Sequence, residues 1–327
     1  MNETKVNGTK IKLTIAAVCL AVSANAQAQG KYPERPIRLV VASAPGGGTD
    51  FTARAMNDKL SEYLGTTVVI DNRGGAGGLL GSQIVAEAPA DGYTLLQIFT
   101  NFAILPSLHK KMSFDVVKDF SPVINLVASP LILVVNPSSP AKNVQELIQH
   151  AKSKQGKMNY AAPGIGSLGH LAGEYFKSST NVQMEQVAYK GGGPSITALV
   201  SNQVDLYFST LPAAVTQVNA GRLRALGVTS LKRSTTFPQV PTIAEQGVKD
   251  FEVVGWFGMF APAKTPSAIV SRLNEAANKA LAVKEVSDRM LASGVEIVGG
   301  DPASFAKKVR GDVEKWGKVA AQAGLGK

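Results

Sequence analysis

Cysteine is nearly absent: Cys19 is the single one in 327 residues. No disulfide framework can be built from it, and with only three scattered histidines (His109, His150, His170) no zinc set with the usual ligand spacing exists. No Gly-Lys pair is followed by Ser or Thr, which removes the nucleotide P-loop. The longest basic cluster is Lys307-Lys308 with Arg310, without interleaved aromatics, so a nucleic-acid groove is not expected either. The net charge of +10 is therefore diffuse, a field that concentrates small anions rather than one that grips a polymer. Long apolar runs are missing too. Ile11 to Val22 falls short of the ~20 residues that a membrane-spanning helix needs.

What that short run does resemble in make-up is an export signal. Lys5, Lys10 and Lys12 form a basic region at its start, and Ala24-Asn25-Ala26 or Ala26-Gln27-Ala28 supplies the small-x-small cleavage pattern. Residues 1–28 are read as a signal peptide, which takes Cys19 with it. Val18 before that cysteine argues against a lipid anchor. With Lys5, Lys10, Lys12 and Glu3 set aside, the exported chain carries about +8. Hydrophobic residues at 45% and charged residues at 18% describe a folded globular chain, long enough for two units of ~100–150 residues.

What is plentiful is glycine, and it is arranged. Ile37, Leu39, Val40 and Val41 form an aliphatic strand that Pro45-Gly46-Gly47-Gly48 ends. Thr49 or Asp50 is expected to cap the helix that follows, with Ala53, Met56, Leu60 and Leu64 on one face. The pattern recurs 118 residues later as Ala162-Pro163-Gly164-Ile165-Gly166-Ser167, followed by a helix with Leu168, Leu171, Ala172, Tyr175 and Phe176 inward. Each copy continues into a second strand and glycine cluster, Gly74-Gly75-Ala76-Gly77-Gly78 and Gly191-Gly192-Gly193, then a third strand. Two βαβαβ units with glycine loops at the carboxyl edges of their strands predict an α/β fold of two lobes facing one cleft.

Between the units, Asn101 to Asp119 reads as a loop-rich link, and Val123 to Val135 as a strand passing from one lobe to the other. Phe251 to Ala261 has no place in the second repeat and is expected to carry the chain back, making a two-strand hinge. The first lobe then comprises 29–128 and 252–327, and the second 129–251. Trp256 and Phe257 are read first as hinge packing, with ligand stacking as the alternative. The C-terminal part reads as helices around a short strand at Val295–Val298.

Three chemistries compete for the glycine loops. Gly164-x-Gly166-x-x-Gly169 fits a dinucleotide fingerprint, but the next strand ends Ala188-Tyr189-Lys190 where a ribose-binding acid belongs. That leaves a dinucleotide-dependent enzyme as the alternative. Ser167 with His170 three residues on is not how a serine hydrolase supplies its base. Binding without reaction suits the residues better, because helix N-termini around a cleft offer preorganised amides to an anion, with no nucleophile–base pair and no cofactor.

The motifs Tyr32-Pro33-Glu34-Arg35-Pro36-Ile37-Arg38, Pro45-Gly46-Gly47-Gly48-Thr49-Asp50, Asp71-Asn72-Arg73-Gly74-Gly75-Ala76-Gly77-Gly78, Gly164-Ile165-Gly166-Ser167-Leu168-Gly169-His170-Leu171 and Tyr189-Lys190-Gly191-Gly192 together resemble the Bug family. These are the solute receptors of tripartite tricarboxylate transporters. The resemblance runs from about Tyr32 to the C-terminal helix. It implies a periplasmic protein with a two-lobed type II periplasmic-binding fold, a small carboxylate ligand and two integral membrane subunits as partners. It also implies binding residues: Pro45, Gly46, Gly47, Thr49 and Asp50; Arg73, Gly74, Ala76 and Gly77; Gly164, Gly166, Ser167, Gly169 and His170; Tyr189, Gly191 and Gly192; and Asp205. Local chemistry gives some of these a second reading. Asp50 also suits a helix cap, Arg73 a partner of Asp71 or Asp91, Tyr189 a strand end, and Asp205 a loop organiser.

Overall fold

A computed structural model describes residues 32–109, 111–322, 324 and 325. Residues 1–28, expected from the sequence to be a signal peptide, lie outside the described residues.

The first glycine unit forms as its pattern requires. Strand β1 (Ile37–Val41) runs parallel to β2 (Val68–Asn72) on one side and β3 (Thr94–Phe99) on the other. Helix α1 (Gly48–Leu64) joins β1 to β2 and buries Ala53, Met56, Leu60 and Leu64. A 3-10 turn (Ala76–Gly78) leads into α2 (Leu79–Ala86) before β3. The next segment differs from the expected link: Asn101–Leu108 is a helix, α3, in spite of Pro106. Pro106 stands six residues in, near the end of the helix, where the bond it forfeits costs little. Burial repays it, since Phe102 packs on Phe120 and Phe260 with ring centres 4.9 and 4.7 Å apart.

Strand β4 (Phe120–Val135) is the spine. Its 16 residues are too long for one sheet of this size. The chain then passes through α4 (Val144–Ser153), β5 (Asn159–Ala162), α5 (Leu168–Thr180), β6 (Glu185–Ala188), α6 (Gly192–Val200), β7 (Leu206–Thr210), α7 (Leu211–Asn219) and β8 (Arg224–Val228). It ends with β9 (Val254–Pro262), α8 (Ser267–Ala282), α9 (Lys284–Ala292), β10 (Glu296–Gly299) and α10 (Pro302–Gln322).

Pairing divides β4 in two. Its first part lies antiparallel to β9 and β10, completing the order β2-β1-β3-β9-β4. Its second part, Leu131–Val135, lies antiparallel to β7 and β8, in a second sheet ordered β6-β5-β7-β4 with β8 beyond. The two sheets have the same plan. In each, three parallel strands meet an antiparallel strand that arrives from the other half. Thr229 ties the crossings together: its amide donates to Leu131 O (2.9 Å) and its carbonyl accepts from Val253 N (2.9 Å). Trp256 is fully buried on β9, donates from Nε1 to Asp312 Oδ2 (2.6 Å) and packs on Phe305 of α10. Its role is therefore core packing.

Candidate functional site

Six strand ends converge where the two sheets face each other: those of β1, β2 and β3 from the first, and β5, β6 and β7 from the second. Each parallel strand points its carboxyl end at the gap and hands over to a helix whose N-terminus opens there. The cavity between them is small in this shut arrangement, with about 40 Å³ open to water-sized spheres, so a guest molecule needs the lobes to part. Ser43, Gly48, Thr49, Gly75, Gly77, Gly78 and Asn101 form one wall; Pro163, Gly169, Gly191, Gly192, Tyr207 and Thr210 form the other. Phe99, Leu131 and Phe257 close the hinge side, with the Phe99 and Phe257 rings 4.6 Å apart.

The helix ends are left open. No side chain caps α1, α2, α3, α6 or α7, whereas Asn143 caps the remote α4 through its side-chain oxygen and Glu146 N (2.8 Å). Uncapped first-turn amides carry the positive end of the helix dipole, so the cavity is electropositive without needing many cations. Helix α5 differs, since Ser167 accepts from His170 N (3.2 Å) and Asn101 Oδ1 accepts from Leu168 N (2.7 Å). The second of these bonds joins the two halves across the gap.

The halves also touch backbone to backbone. A Cβ on Gly164 would stand 2.9 Å from Gly77 N, and one on Gly193 would land on Pro45 O. Glycine is required at these positions because no side chain fits between the two main chains. The gap is shut in this structure by these main-chain contacts together with the Asn101 bond.

The sequence-derived residues separate into groups. Thr49, Gly77, Gly169, Gly191 and Gly192 line the cavity. Gly47, Gly74 and Gly164 press against the opposite half just outside it. Pro45, Gly46 and Tyr189 line a groove on the outer side of that contact, and Ala76 is exposed beside Gly77. The expected cap is not made: α1 starts at Gly48, and Asp50 instead turns back to accept from Gly46 N (3.0 Å), Arg54 Nε (2.9 Å) and Asn72 Nδ2 (2.9 Å). Its carboxylate is spent on holding the loop. Arg73 reaches Asp71 (2.9 Å) on the outside of the first sheet. Burial pulls the Asp71 carboxyl upward, but the Arg38 and Arg73 guanidiniums outweigh it and hold the group below its usual range.

Gly166 packs against Leu108 and gives its amide to His170 Nδ1 (2.8 Å). His170 is buried, and burial pushes its pKa down, with Lys177 adding to the effect and Glu174 opposing it. Gly166, Ser167 and His170 thus shape the loop from behind. Asp205 is not brought to the gap at all. It precedes β7 at the opposite end from Thr210 and accepts from Asn159 N (2.7 Å), tying β5 to β7. The dinucleotide alternative also loses ground, because the amides of Gly166, Ser167 and Leu168 are all taken within the protein.

Ser43, Gly48, Gly75 and Gly78 flank residues the motifs had marked, but Asn101, Tyr207 and Thr210 were missed. The repeat itself held the signal, because its third strands end at Phe99 and Thr210 on the same edge as the first two. Burial drives the Tyr207 hydroxyl pKa upward, so it remains a neutral phenol on the wall.

Comparison with known proteins decides the identity of this scaffold. The family model described as tripartite tricarboxylate transporter family receptor matches residues 52–325. The chain belongs to that family. The UPF0065 protein in the tcbD-tcbE intergenic region of Pseudomonas sp. strain P51 is 37% identical over 312 residues, covering 94% of this chain and 93% of that one. The structure of periplasmic binding protein BugD superposes with a TM-score of 0.87 at 36% identity, over 90% of this chain and 99% of its own. R. palustris Rpa4515 with adipate gives 0.88 at 36% identity, over 90% and 99%. MatC from Rhodopseudomonas palustris with bound malate gives 0.84 at 32%, over 88% and 99%. The fold is thus the two-lobed α/β type of periplasmic binding proteins, and this Bug-type receptor shares it with relatives that hold carboxylates. No helix among the described residues is long and apolar enough to cross a membrane.

Proposed function

We propose that this receptor holds a small organic acid between its two lobes, in the cavity lined by Thr49, Gly77, Gly169, Gly191 and Gly192, and delivers it to the integral membrane subunits of a tripartite transporter. The lobes are 29–128 with 252–327, and 129–251, hinged on β4 and β9. Residues 1–28 direct export to the periplasm. The observation that carries the reading is the convergence of uncapped helix N-termini on one cavity whose wall, among the described residues, has no histidine, cysteine or carboxylate side chain. Such a wall stabilises an anion, so the role is binding.

The energies are sufficient. A charge-assisted hydrogen bond contributes roughly 1.5–3 kcal/mol, and a micromolar complex needs about 8 kcal/mol net. Five or six amide and hydroxyl contacts reach that after association costs of several kcal/mol. The test is a thermal-shift screen of the exported chain against mono-, di- and tricarboxylates, aromatic acids and NADH. A ligand at 100 times its Kd should add about 2.7 kcal/mol of stability. A shift with NADH and with no acid would favour the dinucleotide-dependent enzyme instead.

A further inference from the structure

Resting on the reading of the cleft as a site for an organic acid, we propose that His170 is the positioning residue of the loop Gly164–Ser167, and that one proton on its imidazole releases the loop and weakens ligand binding. His170 is the third residue of α5. From that place a side chain commonly reaches back to an amide ahead of the helix, with Glu or Gln supplying the acceptor. Here an imidazole does it: Nδ1 accepts from Gly166 N at 2.8 Å, while Ser167 N donates to Gly164 O at 3.2 Å. Unlike the amide of Gln, an imidazole changes charge near neutral pH. An amide can only donate, so Nδ1 is bare and the ring proton sits on Nε2, 3.8 Å from Glu174 Oε1. A second proton goes to Nδ1, sets one N–H against another, and the Gly166 bond is lost.

The titratable and charged groups that face His170 are Tyr160 from β5, and Glu174 and Lys177 from α5 itself. Glu174 is already engaged by Tyr160 Oη (2.6 Å) and Lys177 Nζ (2.9 Å). Burial holds the His170 pKa down; Glu174 opposes this and Lys177 adds to it. Helix α3 brings Leu108 against Gly166 and Asn101 against Leu168, and neither titrates.

The loop that His170 holds is also where the halves meet. Gly164 abuts Gly77, Gly166 packs on Leu108, and Leu168 N is held by Asn101, so all three partners belong to the first lobe. Pro163 and Gly169, on either side of the loop, line the cavity. When the lobes part, these contacts go, water reaches the imidazole and its pKa moves back toward the ordinary value. A ligand that draws the lobes together restores the contacts and expels the proton. The pKa is then lower in the complex than in the free receptor, so affinity falls as pH drops through the free-state value. The proton competes with a ligand that it never touches.

Titration calorimetry of the exported chain with adipate, malate, succinate and benzoate, at pH 8 and at pH 6, reads this linkage. For any probe that binds, Kd should be at least about threefold higher at pH 6. His170→Asn keeps an acceptor for Gly166 and does not titrate, so the ratio between its two Kd values should be close to one. The same comparison cancels any titration of the probe's own carboxyls. A wild-type Kd that does not change, or a variant with the wild-type ratio, overturns the proposal and leaves the carboxylate reading intact. If no acid of the screen binds at pH 8, that reading falls as well. Proton NMR of wild type needs no variant to fold or bind. The His170 imidazole should titrate at lower pH with a bound probe than without, with His109 and His150 as internal references. An equal His170 pKa in the two states overturns the proposal.

Discussion

Gly193→Ala separates closure from ligand contact, because Gly193 touches the opposite lobe and is not on the cavity wall. The residue sits in the first turn of α6 with a backbone that accepts any side chain, so alanine favours the helix by up to about 1 kcal/mol. In the shut arrangement its Cβ meets Pro45 O, a main-chain atom of the other lobe that cannot rotate away. Relief requires the lobes to part by about 1 Å or the β1–α1 loop to bend, and overpacking of that kind costs about 1–3 kcal/mol. The cost falls on the closed state alone. Since the ligand engages both lobes only when they are shut, the apparent Kd should rise about 5- to 150-fold. Calorimetry with the tightest acid from the screen measures this, and thermal unfolding without ligand should show stability equal to wild type or higher. A Kd within twofold of wild type would refute the reasoning, since it would mean that the glycine contact plays no part in closure.

Three further outcomes follow from particular contacts. Asp50→Ala strands the Gly46 amide and Asn72, so urea unfolding at pH 7 should register a loss of about 1–3 kcal/mol. His170 is held neutral in the folded chain, with Nδ1 accepting from Gly166 N, and its pKa is lowered by burial. The unfolded chain therefore takes up the proton first, and stability should fall as pH drops through the ordinary histidine value of ~6.5. His170→Asn, which keeps an acceptor for Gly166, should flatten that part of a melting-temperature profile between pH 7 and 5. Trp256→Phe leaves buried Asp312 without its indole donor and opens space against Phe305, so chemical denaturation should show a loss of about 2–4 kcal/mol.

The sequence by itself determined the repeat, and with it most of the fold. Aliphatic strands broken by glycine at matched spacing can be satisfied only by parallel strands with helix openings on one edge. Residues such as Val123–Val135 and Phe251–Ala261, lacking a place in either unit, had to cross between them. Loop positions were legible for the same reason, since backbone turns are encoded locally. What each loop residue faces was not. Asp50 is drawn from the ligand by Asn72, 22 residues away, as well as by nearby Gly46; Asp71, which takes Arg73, is itself held by Arg38 from 33 residues away; and Asp205 is fixed by Asn159, 46 residues away. Asn101 shows the limit most clearly, through its bond to Leu168. Its local context reads as a link before Leu105-Pro106, and it accepts from Leu168 N only when α3 and α5 are brought face to face, the two residues being 67 apart in sequence. Hydrogen-bond partners across a cleft are a property of the closed tertiary structure, and no local pattern carries them.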